Sequence, residues 1–320
     1  MAGGMDAVTG GRRRWGGPPR PAPAWLGAAA VAGAVLWALA WTPGMPRLLS
    51  APAPQQIVFD SYRDGEFKIS VINADGSGLR DLTIAKDDEG NPVWSPDGRR
   101  IAFASTRDGN SSIYVMNADG SGVRRLSRGV GVEADPLWSP DGSRILFVSL
   151  RDKKLDIHAV NPDGSGLGAL TTTGDDGEPS WSPDGKRVAF ASSREGVGSL
   201  YAMNADGSGT RRLTAGPDAH PVWSPDGRLI AFQSQRGGGA WQMWVMNADG
   251  SNPRRLTSPP GNHLGPRWSP DSRRIAFSSA REGNWNIYVM NADGTQQTRL
   301  ATVSDGSDPA LQPTLAWRPR

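Results

Sequence analysis

The sequence predicts an all-β, six-bladed β-propeller preceded by a single N-terminal transmembrane or signal helix. Three observations carry this. The phrase Trp-Ser-Pro-Asp-Gly stands at 94–98, 138–142, 181–185 and 223–227, with a near copy from Trp268 to Ser272 and a truncated echo at Trp317. A second phrase, Asn-(Ala/Pro)-Asp-Gly, returns in step with it from Asn73, Asn117, Asn161, Asn204, Asn247 and Asn291. Copies recur about every 43–44 residues, the period of four-stranded propeller blades.

The chain opens with residues 1–23, rich in Gly, Pro and Arg, a composition that cannot bury enough apolar surface to order itself. Residues 24–42 carry no charge. At 1.5 Å per residue they are about long enough to cross a bilayer core of roughly 30 Å. Trp25 and Trp41 stand near the two ends, as aromatic belt residues do. Arg12, Arg13, Arg14 and Arg20 precede the segment and Arg47 follows it, which holds the N-terminus in the cytoplasm and places the propeller on the extracytoplasmic side. Ala38-Leu39-Ala40 also fits a signal cleavage site, so a secreted domain is the alternative. Residues 43–56, with Pro43, Pro46, Pro52 and Pro54, read as a stiff linker to a propeller spanning 57–320.

One repeat, Pro92 to Leu126, shows the logic of a blade. Pro92–Trp94 is a short first strand. In Ser-Pro-Asp-Gly the proline presets φ and Gly98 accepts the positive φ that ends the turn. Arg100–Ser105 is the second strand, and 106–111 form a polar loop. Ile113–Met116 is apolar on both faces, as a strand covered on both sides must be. Asn117–Gly120 is a hairpin turn driven by Asp-Gly. Arg124–Ser127 is polar enough to be the outer strand.

The ends of the array predict how it closes. The first unit starts at Ile57–Phe59 without a Trp strand before it, and Thr314–Trp317 supplies a spare one after the last unit. Together they make one blade, leaving no free edge at the seam. Trp94, Trp138, Trp181, Trp223, Trp268 and Trp317 are read as inner-strand wedges between neighbouring blades.

Trp-Ser-Pro-Asp-Gly-(Arg/Lys)-Arg-Ile-Ala-Phe, then Ile-Tyr-Val-Met-Asn-Ala-Asp-Gly-Ser, then Arg-Arg-Leu-Thr, resembles the TolB-type WD40-like repeat, also called PD40, over residues 57–317. The resemblance implies a six-bladed propeller and an extracytoplasmic setting, and it does not carry one activity. Prolyl oligopeptidases and dipeptidyl peptidases use similar propellers beside a hydrolase domain. No Gly-x-Ser-x-Gly elbow is present in this sequence.

Composition narrows the function. The formal charge is +3, but the first 50 residues hold five arginines against one aspartate, so the tail carries +4 and the remaining 270 residues −1. A near-neutral domain is no nucleic-acid binder, which needs a clustered basic face. No cysteine is present, excluding disulfides, thiolate zinc sites and a thiol nucleophile. No cofactor is implied, and the propeller reads as monomeric.

The near-identical turns read as structural, so function is expected on the more variable face formed by the inter-blade linkers. Three residues before each strand-one Pro stand Glu89, Glu133, Asp176, Asp218 and His263; immediately before it stand Asn91, Asp135, Glu178, His220 and Gly265. These are expected to ring a channel mouth. They either pair with the loop arginines Arg63, Arg107, Arg151, Arg194, Arg236 and Arg281 or receive a cation, with Glu and His as metal ligands. Six residues before each Asn of the second phrase stand Phe67, Ser111, Leu155, Gly198, Trp241 and Trp285. The three aromatics fall in units one, five and six, which adjoin in a closed ring with His263 expected nearby, and His263 and His220 are expected to join them in binding the ligand. Phe67, Trp241 and Trp285 are read as an aromatic ligand platform, with core packing as the competing reading. The expected function is a membrane-anchored binding module for a protein, peptide or cell-envelope polysaccharide. The alternatives are a hydrolase or lyase using the acidic and His channel mouth, and a structural or sensory ectodomain.

Overall fold

A computed structural model describes residues 56–63, 66–73, 76–83, 88–128, 131–302 and 316–317. The expected helix at 24–42, the tail 1–23 and nearly all of the linker 43–56 lie outside the described residues. Among the described residues every regular element is a strand, and no helix is long and apolar enough to cross a membrane.

The strands form six four-stranded antiparallel sheets, the blades of a propeller. Blade 2 is typical, with strands Glu89–Trp94, Arg100–Ser105, Ser112–Asn117 and Arg124–Arg125 in order from the axis outward. Blade 1 takes its inner strand from the end of the chain. Trp317 stands opposite Ile57, and Ala316 opposite Val58, so the predicted closure forms. The inner strands meet around the axis: Glu89–Trp94 packs on Val132–Trp138, and Asp176–Trp181 on Asp218–Trp223.

The third strand of blade 2 is buried from Ser112 to Met116, as its two-sided apolar pattern requires. Phe103, Phe147, Phe190, Phe232 and Phe277, one on the second strand of each of blades 2 to 6, are fully enclosed. Trp94, Trp138, Trp181 and Trp223 are buried and Trp268 half-buried. Trp138 packs against Ala102 and Val115 of the preceding blade, and Trp94 against Val58 and Val71. The wedge role therefore holds, and truncating one such ring to Ala costs about 3–5 kcal/mol. Of Trp317 the structure describes the backbone pairing alone.

The two repeated turns are built as the sequence implies. In Ser-Pro-Asp-Gly the amide of Gly98 donates to the Ser95 carbonyl at 2.8 Å, and the Ser95 hydroxyl donates to Asp97 at 2.5 Å. In Asn-Ala-Asp-Gly, Gly120 has φ 91°, and a Cβ there would lie 2.6 Å from the Leu82 carbonyl oxygen of the preceding blade. Glycine is thus demanded twice, by backbone conformation and by close approach. The blades are also latched along the rim. Arg80, Arg124 and Arg254 donate to backbone carbonyls in the next blade's turn, at Ala118, Asp163 and Asp293.

The inner strands depart from the expected three residues. In blades 2 to 6 each runs for six or seven and contains a bulge, at 90–93, 134–137, 177–180, 219–222 and 264–267. The two residues left without a ladder partner are the proline of the motif and its predecessor. Proline has no N–H to lose there. The preceding residue takes a left-handed backbone, with φ of 52 to 54° at Asn91, Asp135, Glu178 and His220 and 64° at Gly265.

Candidate functional site

The bulge separates the acidic residues into two sets, because inserting an unpaired residue reverses which face the side chains before and after it occupy. Glu89, Glu133, Asp176, Asp218 and His263 precede the bulge and turn into the blades. All are buried, with exposures of 0 to 3 %. They are not a channel mouth, which corrects the expectation from spacing. The pairing with loop arginines does form, inside the protein and not on a solvated rim. Arg107 pairs with Glu89, Arg194 with Asp176 at 2.7 Å and Arg236 with Asp218 at 2.5 Å.

Each of these guanidinium groups is sandwiched on aromatic rings. Arg194 lies 4.7 Å over Tyr201, and Arg107 5.0 Å over Tyr114. The Tyr hydroxyls donate to Glu195 and Asp108 in the same loop. Burial and the Asp108 bond together push the Tyr114 hydroxyl up to about 12. These are structural ion pairs; Asp176 is bonded by both Arg194 and Thr173, while one buried oxygen each of Glu89 and Asp218 has no hydrogen-bond partner among the described residues.

Two blades vary this pattern. Glu133 accepts from the Ser127 hydroxyl, while Arg151 is exposed and lies beside Asp152. His263 takes the carboxylate's slot in blade 6, edge-on to Phe277 at 5.8 Å. Burial, helped by the charge of Arg281, lowers its pKa to about 4, so it is a neutral, enclosed ring and no ligand contact. His158, half-buried, stacks on Phe147 at 5.5 Å as a strand residue.

The residues just after the bulge's onset face the central channel. Glu178 and His220, from adjacent blades, form its best-defined contact: Nδ1 of His220 lies 2.5 Å from one Glu178 oxygen, and the His220 amide donates to the other at 2.6 Å. Burial opposes both charges, yet their mutual attraction prevails, so Glu178 titrates below its ordinary range and His220 above. Asp135 and Arg267, on the inner strands of blades 3 and 6, present exposed side chains.

Sequence reasoning missed Arg267 and Gln233. Arg267 occupies the slot held by Val93, Leu137, Ser180 and Val222, and Gln233 that held by Ala104, Val148, Ala191 and Ser278. For Arg267 a large polar residue at an otherwise small or apolar slot was the available signal; the Gln233 slot also holds Asp60 in blade 1. The Gln233 side chain is 3.4 Å from His220 and accepts from the Gly265 amide at 3.3 Å. Among the described residues no three His, Asp or Glu side chains converge to hold a metal ion.

Phe67, Trp241 and Trp285 are half-buried and sit at or beside the starts of third strands, on the linker face. The Trp241 amide donates to Asn262 at 2.8 Å, and its carbonyl accepts from the His263 amide, so it stands at the junction of blades 5 and 6. The Phe67 amide donates to Asp88 across the junction of blades 1 and 2. Phe67 also lines a cavity of about 210 Å³ with Asp60, Asn91 and Ser111. Trp285 directly precedes the third strand of blade 6, so the three belong to consecutive blades around the ring.

A family model described as the TolB beta propeller domain matches residues 44–183 and 171–259. No curated protein matches the chain. Among solved structures, TolB from Acinetobacter baumannii is 21 % identical with a TM-score of 0.68, the match covering 83 % of this chain and 67 % of that one. A protein assigned as TolB from Agrobacterium tumefaciens is 23 % identical with a TM-score of 0.61, covering 82 % of this chain and 97 % of the other. A puromycin-hydrolyzing peptidase of Mycobacterium tuberculosis is 14 % identical with a TM-score of 0.66; the match covers 82 % of this chain but only 46 % of the peptidase. At these identities the likeness is one of fold.

Proposed function

Since the chain belongs to the TolB beta propeller domain family, we propose that it is a non-catalytic binding module that holds a protein, peptide or cell-envelope polysaccharide on its linker face. The observation that carries this reading is the contrast between a repeated scaffold and unrepeated side chains. Blades 2 to 6 reuse the Ser-Pro-Asp turn, and all six repeats share the Asn-x-Asp-Gly turn and the second-strand Phe, while the slots six residues before each repeated Asn read Phe67, Ser111, Leu155, Gly198, Trp241 and Trp285. Half-buried Trp and Phe in consecutive blades provide rigid apolar area at low entropic cost, which suits a ligand platform. We further propose that the segment 24–42 anchors the domain in the membrane with the propeller outside the cytoplasm, as the arginines before it favour.

The test is capture of partners from envelope extracts by the full chain, compared with Trp241→Ala and Trp285→Ala. Each substitution is expected to weaken binding by roughly 1–3 kcal/mol with the melting temperature retained. Equal capture by both variants would sink the platform. An inactive C-terminal alkaline phosphatase fusion would overturn the extracytoplasmic placement.

An enzymatic reading, a hydrolase or lyase, would draw on His220, whose charge Glu178 supports. Among the described residues no hydroxyl is hydrogen-bonded to His220, so a nucleophile–base pair is not assembled there.

A further inference from the structure

The junction of blades 1 and 2 leaves a cavity of about 210 Å³ on the linker face. The sequence makes the room. At the slot of Gly90 the inner strands of blades 3 to 6 carry Ala134, Gly177, Ala219 and Leu264. Gly177 is covered by Leu155, whose Cδ2 would lie 2.8 Å from a Cβ placed there. Among the described residues a Cβ at Gly90 would meet only the Asp60 carboxylate, at 4.0 Å. Ala104, the ladder partner of Gly90, adds no bulk. The φ of Gly90 lies outside the left-handed region, so its backbone does not demand glycine.

The described lining of this cavity offers acceptors and no cation. Glu89 lines it and is 1 % exposed. Arg107 engages one Glu89 oxygen, and the other is buried without a hydrogen-bond partner. An enclosed carboxylate oxygen without a donor is costly to keep. Asp60, also buried, and Asp88, exposed, add two more carboxylates to the lining. Half-buried Phe67 supplies an apolar wall, and its amide donates to Asp88 at 3.4 Å. Among the described residues the carboxylates do not converge as a metal-ion set, and the volume has room for an organic cation on an alkyl stem.

We propose that this cavity receives a basic side chain, Lys or Arg, from a protein or peptide bound on the linker face. A long side chain with its charge at the tip lays its methylenes along Phe67 and carries the charge to the unpartnered Glu89 oxygen. An amino sugar bears its ammonium directly on the ring and has no such stem. The inference rests on the linker-face reading above and adds one property to it: the partner is basic where it meets blades 1 and 2.

The experiment is calorimetric titration of the full chain in detergent, at neutral pH and low salt, with capped alanine peptides that carry a central Lys, Arg or norleucine, and with glucosamine. Saturable binding of the Lys or the Arg peptide is expected, about tenfold tighter than that of the norleucine peptide. Gly90→Leu places at this slot the residue that blade 6 already holds there, and it should fill the cavity and abolish the preference. Asp60→Asn should weaken the basic peptides and leave the norleucine peptide unchanged. Equal binding of basic and norleucine peptides to the wild-type protein, binding of neither, or tighter binding of glucosamine than of both basic peptides would overturn the proposal. So would a full preference retained in folded Gly90→Leu. The norleucine comparison decides the matter even if a variant fails to fold. The two readings fail separately: unchanged capture by Trp241→Ala and Trp285→Ala would sink the aromatic platform and not this cavity, whereas loss of the Lys or Arg preference would sink this cavity and not the platform.

Discussion

Glu178 grips His220 twice, by its imidazole at 2.5 Å and by its backbone amide at 2.6 Å, joining blades 4 and 5 inside the channel. The two residues are 42 positions apart and occupy the same slot of successive repeats. Folding raises the pKa of His220 above its ordinary 6.5 and lowers that of Glu178 below its ordinary 4.5. The His220 contribution is complete below 6.5 and is lost as pH rises through the raised value; that of Glu178 is complete above 4.5 and is lost as pH falls through the lowered one.

The pair should therefore stabilise the fold most between about pH 4.5 and 6.5. Glu178→Gln is expected to cost about 1 kcal/mol there, a small figure because channel water screens the 42 %-exposed His220 side chain. In a domain this size that is a fall of about 2–4 °C in melting temperature, shrinking as pH rises from 6.5 through the raised pKa of His220. Thermal melts of wild type and variant from pH 5 to pH 9 check this. A pH-independent difference would show that the contact is not ionic.

Asp176 is fully buried and bonds both Arg194 and the Thr173 hydroxyl, each at 2.7 Å. Asp176→Ala should cost about 3–5 kcal/mol, since it strands a guanidinium packed over Phe190 and Tyr201. The double substitution Asp176→Leu with Arg194→Met should recover much of that loss. Urea midpoints of the single and double variants measure the coupling, and strict additivity would refute the account.

Asn91 occupies the left-handed pre-proline position that Gly265 fills in blade 6. Asn91→Gly should be close to neutral, whereas Asn91→Val should destabilise by about 1–2 kcal/mol because a β-branched side chain resists that backbone. Chemical denaturation of the two variants distinguishes them, and equal stability would mean the backbone conformation is not the constraint.

The pairing of Ile57 with Trp317 gives blade 1 its inner strand. Deleting residues 313–320 should bare the edge of Gln56–Arg63, lower the melting temperature and promote self-association. Size-exclusion chromatography and a thermal melt test this, and a monomer of unchanged stability would contradict closure by this strand.

The architecture was legible in the sequence because it is repetitive and local. Trp-Ser-Pro-Asp-Gly and Asn-Ala-Asp-Gly specify turns through φ preferences that need no tertiary context, and their spacing sets blade number. Unmatched strands at Ile57 and Trp317 declared how the ring closes. The destination of each polar side chain was not legible in the same way. Glu89 and Asn91 are two residues apart and would share a face in a regular strand. A bulge between them, visible only once the inner strand is paired with Arg100–Ser105, buries Glu89 and leaves Asn91 past the onset of the bulge, in the left-handed pre-proline position.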